Sequence, residues 1–116
     1  MRNITEERIV YKPFEYPEAF DFYLKQQQAH WIWTEVPMMA DVTDWKQNLS
    51  KTEKNIIGSI LKGFAQTETV VNDYWSNLVT KWFRKPEIIA MGVCFANMET
   101  VHAEAYSLLN EELGLD

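Results

Sequence analysis

The stretch "SKTEKNIIGSILKGFAQTETVVNDYWSNLVTKWF", residues 50–83, decides the fold. Ser50 followed three residues later by Glu53 is a capping-box signature, so a helix starts here. Ile57, Ile60, Leu61, Phe64, Val71, Trp75, Leu78 and Trp82 then recur every three or four residues, the period of one buried helix face. Gly58 and Gly63 weaken the helix locally and allow a neighbour to come close. "RKP" breaks the pattern, and Pro86 suits the first turn of a second long helix. That helix carries Ile88, Met91, Gly92, Phe95, Leu109 and Leu113 on one face, with Gly114 as its stop. Two long helices joined by so short a turn are expected to pack antiparallel.

Working outward, a shorter helix is expected to begin after Pro17, with Phe20, Leu24 and Trp31 on one side. "TEVPMMADVTDWKQNL" lacks a sustained period and reads as a connection with at most a short helix. Residues 1–13 read as an extended arm. No strand alternation, Gly-rich phosphate loop or internal repeat appears. The expectation is one all-α domain over residues 1–116.

Composition narrows the partners. Apolar residues make up 47% of the chain, enough for a core, and five Trp, five Tyr and six Phe argue against disorder. A net charge of −6 disfavours a nucleic-acid partner, and no basic run suggests an anionic membrane. A lone cysteine, Cys94, excludes an internal disulfide framework and suits a reducing compartment. The first residues lack a signal-peptide core, and no apolar run reaches membrane-spanning length. The expected setting is the cytoplasm, without nucleic acid or membrane.

The apolar stripes are interrupted in a telling way. On the second long helix the count runs Phe95, Glu99, His102, Tyr106, Leu109; on the first it runs Phe64, Glu68, Val71, Trp75. Both glutamates and the histidine therefore belong on core-facing positions. A buried, unpaired carboxylate costs on the order of several kcal/mol, and two on neighbouring helices would also repel. A bound cation relieves both penalties. Glu99 and His102, at i and i+3, share a helix face and can address one ion, and Glu68 can reach it from the facing helix. Oxygen and nitrogen donors without thiolate suit Fe or Mn, with Zn as competitor. Glu-x-x-His alone is a weak signal that usually marks surface residues. Its conjunction with an inward Glu on the adjacent helix is the stronger argument. Dimetal-carboxylate bundles use two such Glu residues and two Glu-x-x-His pairs, so this chain carries half a dinuclear site. Tyr106, one turn beyond His102, reads by itself as an ordinary core tyrosine; beside a redox metal it becomes a candidate radical site.

Taken together, "METVHAEAYSLL", "LKGFAQTETVVNDYW" and "HWIWTEVPMMADVTDW" resemble segments of the small, radical-generating subunit of class I ribonucleotide reductase. The likeness runs from Phe14 to Gly114 and includes the separation between Glu68 and Glu99. It implies a ferritin-like helical bundle, of which this chain is the N-terminal portion. It further implies a dinuclear Fe/Fe or Mn/Fe (or Mn/Mn) cofactor that activates dioxygen. By that resemblance Glu68 is a terminal ligand, Glu99 a bridging carboxylate, and His102 the imidazole on the same ion. Tyr106 matches the tyrosine that stores the radical. Trp31, with Trp33 as the near alternative, matches the tryptophan that carries electrons toward the large subunit. The radical, tyrosyl or metal-based, would drive reduction of ribonucleotides in that partner, and the small subunit would itself be a homodimer.

Two features depart from the family pattern. Most members have Asp where Glu68 stands; a manganese/iron subclass has Glu there but Phe in place of the radical tyrosine, whereas this chain keeps Tyr106. Family members are also much longer, and the remainder of the small subunit would supply the other Glu and the second Glu-x-x-His. The alternatives are a related ligand-binding dimetal oxidase, which an apolar tunnel to the metals would favour, a bundle monooxygenase component, to which the tyrosine and tryptophan correspond less well, and a metal-free helical interaction module.

Overall fold

The computed structural model describes residues 3–115, and all regular structure among them is helical. α1 spans Pro17–Gln28, a 3-10 turn Trp33–Glu35, α2 Met39–Gln47 and α3 Lys51–Asp73; a π-helical segment Tyr74–Val79, α4 Thr80–Trp82 and α5 Pro86–Glu112 follow. The chain is all-α. None of the helices is long and apolar enough to cross a membrane.

The ends of the long helices are set by local chemistry. Glu53 N–H donates to Ser50 Oγ (3.1 Å) while Ser50 N–H donates to Glu53 Oε1 (2.9 Å), a reciprocal cap at the start of α3. Pro86 opens α5. At its other end Gly114 adopts φ +74°, and Leu115 N–H reaches back to the Asn110 carbonyl (2.7 Å), a Schellman stop that a side chain at residue 114 would strain.

Residues 50–83 do not form the single α-helix that their period predicts. The ladder loosens into the π-helical segment after Asp73. There Trp75 meets Phe95 edge-on, with centroids 4.8 Å apart, and Val79 is buried. The apolar period persists through a wider turn, so spacing alone does not reveal it.

The chain divides into two compact units, Met1–His30 with Val70–Glu99, and Trp31–Thr69 with Thr100–Asp116. The core of the first is Ala19, Val79 and Ile88, packed against by Tyr16, Trp75, Phe83 and Met91. Asn72 meets Ala96, Trp75 meets Phe95, and Gly92 faces Thr80, so the two chain directions oppose. In the second unit Phe64 packs on Tyr106, Glu68 on His102, and Gly58 faces Leu115, again antiparallel. Ile57, Ile60 and Phe64 nevertheless remain exposed on α3.

The non-helical segment before α1 is anchored in the first unit. The fully buried Glu87 carboxylate pairs with the Arg8 guanidinium and accepts N–H groups from Glu15 (2.7 Å) and Tyr16 (2.9 Å). Glu15 is in turn held by Arg8 (2.9 Å) and by the buried Lys85 (3.0 Å).

Candidate metal centre

α3 and α5 each carry one side of the site. Glu68 Oε2 lies 3.4 Å from His102 Nδ1, with the glutamate side chain 16% exposed and the imidazole 37% exposed. Glu99 stands one turn before His102 on the unbroken helix α5 and is half-buried. One ligand atom of Glu99 and one of Glu68 each fall within 4.8 Å of one on His102.

The decisive detail is Glu68 Oε2, which is buried and has no hydrogen-bond partner. A buried carboxylate oxygen without a donor carries a large desolvation penalty. Its distance to the imidazole is long for a charge-assisted hydrogen bond, which favours about 2.8 Å. Two donor atoms each about 2.1 Å from a shared ion, at ordinary ligand angles, stand about 3.0–3.4 Å apart. The donors and their separation therefore fit a divalent cation of the Fe, Mn or Zn class.

Of the aromatic residues singled out in the sequence, Trp31 lies against the His102 imidazole, Tyr106 shares a cavity wall with it, and Trp33 lies elsewhere. The Trp31 ring lies 5.9 Å from the His102 ring, with planes inclined by 30°. Trp33 lines a separate cavity with Leu108 and Glu112. Tyr106 is half-buried and packs on Phe64, centroids 5.3 Å apart. A largely apolar cavity of about 340 Å³ is bounded by Trp31, Met38, His102, Tyr106 and Leu109. Another, of about 350 Å³, lies against Trp75 and Phe83 in the first unit and is lined by none of the ligand candidates.

Two features escape a reading of the sequence. Asn72, one turn after Glu68, donates its amide to the Ala96 carbonyl at 2.7 Å. Glu87 looks like an ordinary acid in a helix's first turn, and nothing in its neighbours signals Arg8, distant in sequence.

The chain is similar to known proteins over nearly its whole length. The family model "Ribonucleotide reductase, small chain" matches residues 8–116. The probable ribonucleoside-diphosphate reductase small subunit of Invertebrate iridescent virus 6 is 36% identical over 113 residues, covering 97% of this chain and 31% of the viral protein. The ribonucleoside-diphosphate reductase small subunit of Dictyostelium discoideum is 32% identical over 111 residues, 92% of this chain and 32% of that protein. The small chain of Neurospora crassa is 34% identical over 107 residues, 89% of this chain and 25% of that protein. The chain thus spans about a third or less of the length of the curated relatives it matches. Its all-helical architecture agrees with the ferritin-like bundle of such proteins. With a match over nearly its whole length, the chain belongs to the ribonucleotide reductase small-chain family.

Proposed function

We propose that this chain is a portion of the small subunit of ribonucleoside-diphosphate reductase, and that Glu68, Glu99 and His102 hold one ion of its dinuclear metal centre. The observation that carries the reading is the buried Glu68 Oε2, without a hydrogen-bond donor and 3.4 Å from His102 Nδ1. When bound, an Fe/Fe, Mn/Fe or Mn/Mn pair supplies oxidising power derived from dioxygen. The remaining ligands come from outside these 116 residues, since the chain offers one Glu and one Glu-x-x-His to the arrangement.

The chain's own residues have distinct tasks. Glu68 and Glu99 balance the cation's charge, and His102 presents a neutral nitrogen. Tyr106, half-buried against Phe64, gives up an electron and its phenolic proton and keeps the resulting radical away from water. Trp31, beside the His102 ring, relays an electron between this site and a separate large subunit. Reduction of ribonucleoside diphosphates takes place in that partner, and the complete small subunit works as a cytoplasmic homodimer.

Metal analysis of the purified chain after loading with Mn(II) or Fe(II) tests this. Binding that disappears in His102→Ala is expected; a chain that retains no divalent metal overturns the reading. The cavity against His102 and Tyr106 favours a second reading, a ligand-binding oxidase of related architecture. Its volume of about 340 Å³ is at the small end for a ligand site. Organic extraction of the purified protein that releases a stoichiometric long-chain lipid would favour that reading.

A further inference from the structure

We propose that Asn72 is a positioning residue for the metal centre: its side-chain amide, donated to the Ala96 carbonyl, fixes the register of α3 against α5 beside Glu68 and Glu99. The inference rests on the metal-binding role of those residues and assigns a separate residue the task of placing them.

Asn72 Nδ2 donates to Ala96 O at 2.7 Å, and Asn72 is half-buried. Behind it, Ser76 Oγ donates its one proton to the Asn72 carbonyl at 2.8 Å and lies 3.3 Å from Asn72 Oδ1. Ala96 lies in the middle of α5, and a carbonyl oxygen has a second lone pair that a side chain can use without breaking the helix ladder. Apolar packing between helices is non-directional. A side-chain bond to one particular carbonyl is not, because a slip of one residue displaces it by about 1.5 Å. Metal ligation tolerates errors of only about 0.2 Å.

The bond sits where such control is needed. Glu68 precedes Asn72 by one turn of α3, and Glu99 follows Ala96 by one turn of α5. Gly92 explains how a side chain as short as Asn reaches a main-chain oxygen. A Cβ on Gly92 would lie 3.1 Å from Thr80 Cγ2 and 3.3 Å from the Trp75 carbonyl, so the backbones are already close within this unit.

The test compares the full chain with Asn72→Ala, Asn72→Asp and the control Asn77→Ala, an exposed amide on the same stretch. Co(II) is the probe, read by its visible ligand-field bands and binding constant, with circular dichroism for helical content. Asp has the shape of Asn but no N–H to donate. Its negative charge would by itself favour a cation, so weaker binding in Asn72→Asp reports geometry. Both Asn72 variants are expected to bind Co(II) about tenfold more weakly, with shifted bands and unchanged helical content, while Asn77→Ala matches the wild type. Wild-type bands and affinity in either Asn72 variant overturn the proposal. Loss of helical content in both makes Asn72 a folding residue and also overturns it. A wild-type chain that binds no Co(II) defeats the metal reading itself, whereas wild-type binding with unaltered variants defeats only the role of Asn72.

Discussion

Glu68 Oε2 and His102 Nδ1 stand 3.4 Å apart, and the glutamate oxygen has no hydrogen-bond donor. In a metal-free helical pair this is an expensive arrangement. Gln at residue 68 would avoid the buried charge and could donate to the imidazole. The arrangement is explicable when the pair's purpose is to surround a cation rather than to hold the fold.

This reasoning gives a variant with effects of opposite sign. Glu68→Gln removes a buried, undonated carboxylate oxygen, a group whose desolvation costs about 1–3 kcal/mol or more. The metal-free chain should therefore unfold at equal or higher urea concentration than the wild type. Metal affinity should fall at least about tenfold, the smallest loss expected when even an outer-shell partner is removed. If Glu68→Gln destabilises the metal-free chain and binds metal normally, Glu68 is a structural acid.

Much of this candidate site is legible in the sequence. The i, i+3 spacing of Glu99 and His102 fixes their common helix face through backbone geometry alone, and the apolar neighbours of Glu68 point it inward. The caps at Ser50 and Gly114 are equally local. The illegible parts depend on contacts between residues far apart in sequence. Asn72 and Ala96 lie 24 residues apart and Arg8 and Glu87 lie 79 apart, and no period within one helix encodes either pairing. On α5, Cys94, Met98 and Val101 are more buried than the Phe95–Glu99–His102 stripe. That helix is apolar around most of its circumference, so periodicity cannot rank its faces.

Tyr106→Phe would separate the radical storage proposed for Tyr106 from its packing role. The ring contact with Phe64 survives the loss of a hydroxyl, so the melting temperature should change little. Metal stoichiometry should be unchanged as well. In the protein completed with the rest of the small subunit, the tyrosyl signal in electron paramagnetic resonance should vanish. Persistence of that signal would place the radical on another residue.

The anchor of the N-terminal segment predicts acid sensitivity. Burial pushes the Glu87 carboxyl up, but the Arg8 guanidinium and the N–H groups of Tyr16 and Glu15 outweigh it and hold the pKa at about 2, against an ordinary 4.5. Glu15 is shifted down as well, by Arg8 first and Lys85 second. A carboxyl depressed on folding stabilises the native state fully above its unfolded value, and that stability is lost as pH falls toward the folded value. For Glu87 the shift corresponds to about 3 kcal/mol, lost between roughly pH 4.5 and 2. Urea unfolding at a series of pH values should show this slope in the wild type and a flatter one in Glu87→Gln. Equal slopes would mean that the Arg8 pair does not persist in solution.

Two glycines in the long helices should respond to alanine in opposite directions. Nothing lies within 4 Å of a Cβ built on Gly63, so Gly63→Ala gains helix propensity, about 1 kcal/mol, without a steric cost. At Gly92 the same gain meets Thr80 Cγ2 at 3.1 Å and the Trp75 carbonyl at 3.3 Å. Neither neighbour yields easily: Thr80 is buried, with Oγ1 donating to the Ser76 carbonyl at 2.7 Å, and the Trp75 oxygen is main chain in the π-helical segment. Overpacking of this kind costs about 1–3 kcal/mol, so Gly92→Ala should be destabilised by about 1 kcal/mol net. Urea midpoints that rise in both variants would show that the π-helical segment can retreat from α5, and that the close approach there is not fixed by Gly92.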